Sequence, residues 1–156
     1  MSVEQVRAAL GRVTHALPTS EDRPGQLQMA EAVATAIERK RHLIVAAGTG
    51  TGKTLGYLVP ALLTHQRVVV ATATKALQDQ LAGKDLPFLE EHLGTPFEWA
   101  VLKGRSNYVC LQRLRELSQA GEGQLELEEM AGTTKVGIKR LAEWAASTRT
   151  GDLADL

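Results

Sequence analysis

Cysteine is nearly absent from this sequence, which contains only Cys110. One thiol cannot form an internal disulfide and cannot hold a metal by itself, so a disulfide framework and an all-cysteine metal site within the chain are excluded. Long apolar runs are absent too, and residues 1–5 read as the start of a helix rather than as a signal peptide. These absences predict a cytoplasmic protein with no membrane span.

Net charge is also lacking, because 18 basic and 18 acidic residues cancel. The global charge therefore gives no argument for a nucleic-acid or membrane partner, and any contact with nucleic acid must be local. The length of 156 residues and the hydrophobic content of 44% exclude a disordered chain. They predict one hydrophobic core, with one domain or one domain plus an additional piece.

The most informative stretch present is VAAGTGTGKT, residues 45–54, which has the pattern of a phosphate-binding loop. Glycines let several backbone N–H groups converge on a phosphate without obstruction by Cβ atoms. A lysine can then reach the β- and γ-phosphates, and a threonine hydroxyl can hold Mg²⁺. The candidate catalytic residues are Lys53 and Thr54. The nucleotide-contacting residues are predicted to be Ala47, Gly48, Thr49, Gly50, Thr51, Gly52, Lys53 and Thr54, where Ala47 replaces the usual first glycine.

The flanks of this loop fit a strand on one side and a helix on the other. Further short β-branched runs at residues 67–73 and 97–102 alternate with helical patterns, which predicts an α/β fold with a parallel sheet and right-handed crossovers. Two helices precede the loop, the first opened by a capping box from Ser2 to Gln5. Pro87 is expected to interrupt the helical pattern of residues 77–93. From Cys110 onward, residues 111–117, 125–130 and 138–146 look helical, and a domain change is predicted near Tyr108.

The end of the second predicted strand carries hydroxyl and amide side chains rather than charged ones. Thr72, Thr74 and Gln78 are suited to hydrogen bonding with a nucleic-acid backbone without reading its sequence. The alternative is that the threonines hydrogen-bond with nearby backbone groups and that Gln78 lies on a solvent-exposed helix face. Lys103 and Arg105 are further candidates for phosphate contact, with a solvated loop as their alternative.

Four stretches, in order along the chain, resemble the motifs of DinG/XPD-type superfamily 2 DNA helicases. Residues 23–29, RPGQLQM, are similar to the Q motif, and residues 46–54 are similar to motif I, including its initial alanine. Residues 71–81, ATATKALQDQL, resemble motif Ia, and residues 102–110, LKGRSNYVC, resemble the approach to the first cluster cysteine. The resemblance implies that Arg23 and Gln26 contact ATP, with Gln26 reading the adenine. It also implies that Thr72, Thr74 and Gln78 lie along single-stranded DNA, and that Cys110 ligates a [4Fe–4S] cluster.

The resemblance implies a RecA-like P-loop lobe in residues 1–108, incomplete before the acidic Walker B motif, followed in residues 109–156 by the helical start of an iron–sulfur domain. The implied cofactors are ATP and Mg²⁺, and the cluster is expected only in a longer parent protein, since it needs four thiolates. The implied function is 5'-3' DNA unwinding in repair or replication. The implied location is the cytoplasm of a bacterial-type cell, where the protein would associate with the nucleoid. The implied partner is single-stranded or forked DNA, with no obligate protein partner.

An acidic metal-binding strand is not evident in the sequence. Residues 125–130, LELEEM, alternate apolar and charged side chains and read as a helix or an exposed strand. We therefore expect the chain to be an N-terminal piece that binds ATP without efficient turnover. The alternatives are a free-standing P-loop phosphotransferase or small-molecule kinase, and a pure nucleotide- or DNA-binding module.

Overall fold

A computed structural model of the protein describes residues 2–19, 23–123 and 131–156. Within these ranges the regular structure is helical. The α-helices are α1 (Val3–His15), α2 (Pro24–Glu38), α3 (Lys53–Leu62), α4 (Lys75–Gln80), α5 (Leu86–His92), α6 (Leu111–Gly123) and α7 (Ala131–Ser147). A π-helical turn, Leu81–Asp85, joins α4 to α5, and short 3₁₀ turns occupy Arg105–Asn107 and Leu153–Asp155. No helix of the described residues is long and apolar enough to cross a membrane.

The chain divides into two compact units, Met1–Val101 and Leu102–Leu156. The first unit contains α1 to α5 with the phosphate-loop sequence, and the second contains α6 and α7. The domain change that the sequence predicts near Tyr108 stays a prediction.

The capping box at the start of α1 is confirmed. The Ser2 hydroxyl accepts a hydrogen bond from the Gln5 backbone N–H at 3.2 Å, and the Gln5 side chain accepts one from the Ser2 N–H at 2.8 Å. The two bonds satisfy donors that a helix start otherwise leaves without intrahelical partners. α1 then buries an apolar face, on which Val6 and Val13 are fully enclosed.

The core of the first unit is formed where α1, α2, α3 and α5 pack together. α2 and α3 approach closely at Gly56, where an added Cβ would lie 3.3 Å from Met29 Sδ and 3.4 Å from the Gln26 carbonyl oxygen. Pro60 is fully buried inside α3, which continues to Leu62. The buried members of this core are Val6, Ala9, Leu10, Val13, Ala30, Ala34, Leu55, Leu58, Val59, Leu81, Leu89 and Leu93.

The predicted parallel sheet is not confirmed. Residues 42–47, 67–72 and 97–102 form no strands, and no strand pairing occurs among the described residues apart from one isolated bridge in the second unit. Ile44 is 96% exposed between Leu43 at 43% and Val45 at 40%, so exposure still alternates as along a strand. Parallel strands are stable when neighbouring strands and helices cover them on all sides. The described residues supply helices but no paired neighbour for these segments.

The predicted interruption of the helix at Pro87 is wrong in position. α4 runs directly into the π-helical turn Leu81–Asp85 and then into α5, so the irregularity precedes the proline. Pro87 lies in the first turn of α5. The π-helical turn thus ends just before the proline, which has no N–H with which to continue the helical hydrogen-bond pattern.

In the second unit, the C-terminal residues fold back on the segment that precedes α6. Tyr108 forms an isolated antiparallel bridge with Asp152, and the Val109 N–H donates to the Gly151 carbonyl at 2.9 Å. α6 and α7 include the predicted helical stretches 111–117 and 138–146. The predicted stretch 125–130 lies outside the described residues.

Candidate nucleotide-binding site

The phosphate-loop residues connect an exposed extended segment to the N-terminus of α3. Gly50 and Gly52 have positive φ angles of 76° and 73°, a left-handed conformation that glycine adopts without strain. Ala47 is not among the residues with a positive φ, so alanine at the first position needs no special backbone. The loop therefore has glycines where its backbone requires them.

Lys53 folds back over the loop that precedes it. Its Nζ donates hydrogen bonds to the Ala47 carbonyl at 3.0 Å and to the Gly48 carbonyl at 2.5 Å. The Thr51 hydroxyl also donates to the Gly48 carbonyl, at 3.0 Å. The two bonds from Nζ hold the Lys53 ammonium group beside the loop backbone, and the Thr51 bond closes the turn from Gly48 to Thr51.

Gln26 joins the predicted Q motif to the phosphate loop. The residue is 5% exposed, and its Nε2 donates to the Gly52 carbonyl at 2.9 Å. The Arg23 guanidinium is near the same glycine, because a Cβ built on Gly52 would lie 3.5 Å from Nη1. The structure thus places both Arg23 and Gln26 beside Gly52 of the loop, and their contact with ATP stays a prediction.

Thr54, the candidate Mg²⁺ ligand, is half-buried in the first turn of α3. Its side chain hydrogen-bonds with Tyr57 one turn later. Burial raises the pKa of the Tyr57 hydroxyl, and the bond with Thr54 opposes this rise while the Asp85 carboxylate adds to it. The predicted metal ligand therefore has a phenol as a neighbour.

The predicted DNA-contacting residues surround the start of α4. Thr74 is the N-cap residue, and its hydroxyl accepts from the Leu77 N–H at 3.3 Å. The Thr72 hydroxyl donates to the Thr74 carbonyl at 3.3 Å. Gln78 is half-buried. Both threonines make the local backbone contacts that the sequence left as an alternative, and their role toward DNA stays a prediction.

Cys110 is exposed and free, directly before α6 in the second unit. Among the described residues no group of three or more His, Cys, Asp or Glu side chains could hold a metal ion. Because the whole chain has one cysteine, its own residues do not fit a four-thiolate cluster. Lys103 is neither solvated nor available for phosphate, since its Nζ lies 2.6 Å from Asp152 Oδ2.

ATP and Mg²⁺, in contrast, fit the residues at the loop. The left-handed glycines leave the loop N–H groups unobstructed by Cβ atoms, so these groups can face a phosphate. The N–H groups of the first turn of α3 lack intrahelical partners, and Lys53 supplies a cation. Thr54 adds an oxygen ligand of the kind that Mg²⁺ accepts. Sequence reasoning missed the Gln26–Gly52 bond and the contact between Thr54 and Tyr57. No sequence pattern near Gln26 indicated its bond to Gly52. The three-residue spacing of Thr54 and Tyr57 places them on one helix face and could have indicated their contact.

Comparisons with known proteins identify the family of the chain. The DEAD/DEAH box helicase family matches residues 23–124, which is about two thirds of the chain and includes the Q-motif and loop residues. The chain is 43% identical over 144 residues to the ATP-dependent DNA helicase YoaA of Escherichia coli (strain K12). It is 44% identical over 149 residues to the ATP-dependent helicase DinG of Mycobacterium tuberculosis (strain H37Rv), and 35% identical over 144 residues to the 3'-5' exonuclease DinG of Bacillus subtilis (strain 168).

These alignments cover most of the present chain but little of each relative. They include 92% of the chain and 22% of YoaA, 86% of the chain and 22% of the mycobacterial DinG, and 90% of the chain and 15% of the Bacillus protein. The chain thus spans about a fifth of the length of the helicases it matches. No solved structure gave a significant match. The family match implies a RecA-like nucleotide-binding fold and favours a helicase over a phosphotransferase. On this match, which extends over more than half of its length, the chain belongs to the DEAD/DEAH box helicase family.

Proposed function

We propose that the chain is the N-terminal, ATP-binding part of a DinG-type ATP-dependent DNA helicase that acts in DNA repair or replication. The observation that carries the proposal is the phosphate loop, in which Gly50 and Gly52 adopt left-handed conformations before α3 in a member of a helicase family. The names of YoaA and the mycobacterial DinG support an unwinding activity for the longer protein.

In the proposed complex the triphosphate lies over the loop, against the N-terminus of α3. The unpaired N–H groups of the first helical turn and the helix dipole favour an anion there. Lys53 exchanges its bonds to the Ala47 and Gly48 carbonyls for stronger, charge-assisted bonds to the β- and γ-phosphates. Thr54 would hold Mg²⁺, which neutralises phosphate charge when bound. Gln26 and Arg23 lie on the side of the loop where the adenine is proposed to bind.

DNA is proposed to run along the start of α4. The Thr74 hydroxyl accepts a bond from the Leu77 N–H, and its own hydrogen remains to donate to a phosphate oxygen. The Thr72 hydroxyl already donates its single hydrogen to the Thr74 carbonyl, which makes it the poorer phosphate contact. Of the two threonines, Thr74 is therefore the stronger candidate. Single-stranded or forked DNA is the proposed substrate, and the 5'-3' polarity is a family expectation.

The finer domain assignments also belong to this proposal. Residues 1–108 are proposed to form the RecA-like lobe, whose segments 42–47 and 67–73 become strands when neighbouring strands pair with them. The alternating exposure around Ile44 supports this. Residues 109–156 are proposed to begin an iron–sulfur domain in which Cys110 supplies one of four thiolates. The chain alone is proposed to bind ATP without efficient turnover, since hydrolysis also needs a positioned water and further charge stabilisation.

Titration calorimetry with Mg·ATP on the chain and on Lys53→Ala tests the nucleotide site. Removing the lysine deletes a charge-assisted hydrogen bond worth about 1.5–3 kcal/mol. This corresponds to a roughly 10- to 150-fold larger dissociation constant for ATP. Lys84→Ala is the matched control, because Lys84 is exposed in the π-helical turn and belongs to none of the motifs. Equal affinity of the wild type and Lys53→Ala would remove Lys53 from the site.

A further inference from the structure

α2 and α3 lie side by side and run in the same direction. Gln26, in the first turn of α2, contacts Gly52 at the start of α3. Met29 follows along α2 and lies beside Gly56, which follows along α3. Since both contacts advance together, the two helices are parallel and end on the same side of the first unit. This end is opposite the phosphate loop and lies about 18 Å from Gln26, because α2 continues to Glu38.

The shared end of α2 and α3 carries a cluster of basic side chains, here named the basic end. Its members are all exposed and are Arg39, Lys40, Arg41, His42, His65 and Arg67. None of them forms an ion pair with another described residue. Glu38 is the one acidic residue within residues 38–42 and 65–67. Positive charge is therefore concentrated here, although the whole chain has no net charge.

Helix stability alone does not explain the basic end. A cation near a helix C-terminus interacts favourably with the helix dipole, but this effect falls off within the last turn. Among the described residues, Lys40 and His65 are the non-glycine residues with positive φ, at 51° and 53°. Lys40 occupies the left-handed position of a Schellman motif, in which the Arg41 N–H donates to the Ala36 carbonyl at 2.9 Å. Glycine is usual at that position because a side chain there is strained, so stability by itself would favour glycine over Lys40.

The segment from Arg67 to Thr74 separates the basic end from the DNA path proposed at α4. Exposure along this segment alternates from 42% at Val68 to 85% at Val69 and 38% at Val70, as along an extended chain. Seven extended residues span about 23 Å. A phosphate bound at Thr74 is therefore out of reach of the basic end.

The composition of the basic end indicates the kind of anion that suits it. Arg and Lys side chains on a protein surface contact nucleic-acid phosphates without reading the sequence. Proteins that hold single strands add aromatic side chains, on which the unpaired bases stack. Residues 38–42 and 65–67 contain no Phe, Tyr or Trp. The basic end therefore suits the phosphates of a duplex, whose bases are already paired, better than a single strand.

We propose that the basic end contacts the phosphate backbone of duplex DNA, separately from the single-strand path at α4. The choice of DNA among polyanions rests on the proposed function, whereas the position of the contact rests on the exposed charges. A duplex held here lies at the end of the first unit opposite the phosphate loop. ATP and the duplex can therefore bind at the same time.

Fluorescence anisotropy with a fluorescein-labelled DNA duplex, measured on the whole chain over a series of KCl concentrations, tests this contact. Each phosphate contact contributes about 0.9 to the slope of log K against log salt concentration. Arg39→Gln/Arg41→Gln/Arg67→Gln removes three cations, so the slope should fall by about 2–3 and the duplex should bind at least about tenfold more weakly at low salt. The matched control removes three exposed arginines of α6 and α7 and should keep the wild-type slope. This control is Arg113→Gln/Arg115→Gln/Arg140→Gln.

Lys40→Gly separates DNA binding from stability. Glycine removes the cation and relieves the left-handed strain, so the free energy of unfolding should equal or exceed that of the wild type. The duplex should nevertheless bind about twofold to fivefold more weakly, with a slope lower by about 1. A lysine that served only the helix dipole would give the reverse, a lower stability with unchanged duplex binding.

Titration with Mg·ATP distinguishes this contact from the nucleotide site. Because the basic end lies about 18 Å from Gln26, the Arg39→Gln/Arg41→Gln/Arg67→Gln variant should bind Mg·ATP like the wild type. A wild type that failed to bind Mg·ATP would refute the nucleotide site and would leave the duplex result unaffected.

Four results would overturn the duplex contact. One is a wild-type slope in the Arg39→Gln/Arg41→Gln/Arg67→Gln variant, or an equal loss in its control. Another is a folded Lys40→Gly with wild-type duplex affinity, which decides the question even if the triple variant does not fold. A third is an equal loss of affinity for a labelled single strand. The last is displacement of the duplex by poly-L-glutamate as effectively as by unlabelled duplex, which would indicate an acidic protein surface as the partner.

Discussion

Replacing Lys103 with methionine should destabilise the second unit, because it removes the cation that lies 2.6 Å from the Asp152 carboxylate. The two side chains are only 9% and 13% exposed, and Lys103 Nζ lies 2.6 Å from Asp152 Oδ2. Asp152 has a second task, since its Oδ1 accepts a hydrogen bond from the Ala154 N–H at 3.0 Å. Asp152→Asn preserves that acceptor while removing the charge.

The expected size of the effect follows from this geometry. Two unit charges at 2.6 Å attract by about 6 kcal/mol at an effective dielectric constant of 20. Most of that attraction is offset by the loss of hydration of both ions. Removing one partner of a buried pair costs about 3–5 kcal/mol, and the residual exposure of both side chains places Lys103→Met near the lower value. The double variant Lys103→Met/Asp152→Asn removes both charges of the pair together, so it should lie within about 1 kcal/mol of the wild type.

Urea unfolding followed by the fluorescence of Trp144 measures this effect. The chain has two tryptophans, and Trp144 lies in α7 of the second unit, so a Trp99→Phe background isolates its signal. Lys139→Met is the control, because its pair with Glu143 is exposed, with side chains at 81% and 68%, and should contribute under about 0.5 kcal/mol. The reasoning would be refuted if Lys103→Met lowered the free energy of unfolding by less than about 0.5 kcal/mol. It would also be refuted if the double variant lowered this free energy by the sum of the two single-variant effects.

Two further predictions concern the candidate site. Gly52→Ala should abolish calorimetrically detectable ATP binding, because the new Cβ would lie 2.2 Å from Gln26 Nε2 and the left-handed φ strains alanine. Gly11→Ala is the control and should bind ATP normally, because nothing lies within 4 Å of a Cβ added there. Equal ATP affinity in Gly52→Ala and Gly11→Ala would contradict the prediction for Gly52. Burial raises the pKa of Tyr57, so as pH rises above about 10 the unfolded chain loses this proton first and the free energy of unfolding falls. Tyr57→Phe should flatten this alkaline decline in urea titrations, and parallel pH profiles for the two proteins would disprove it.

Features formed by residues that are close together in the sequence could be predicted from the sequence alone. The capping box of α1 closes between Ser2 and Gln5, three residues apart. The helix α3 likewise begins at Lys53, directly after the glycine-rich loop, where the pattern of residues 45–54 predicts a helix start. Such local features form for local steric and hydrogen-bonding reasons, so residue types and their spacing suffice to indicate them. The motif order along residues 23–110 also indicated the family that the comparisons report.

Contacts between residues far apart in sequence were decided only by the tertiary structure. The Gln26 carboxamide meets the Gly52 carbonyl across 26 residues because α2 and α3 pack closely, and no pattern near Gln26 indicates that partner. Lys103 likewise pairs with Asp152 because the C-terminal residues fold back beside Tyr108. The β-branched segment around Ile44 shows the converse case. Its sequence favours a strand, but a strand exists only when another backbone pairs with it, so composition alone determines the preference and the neighbours determine the structure.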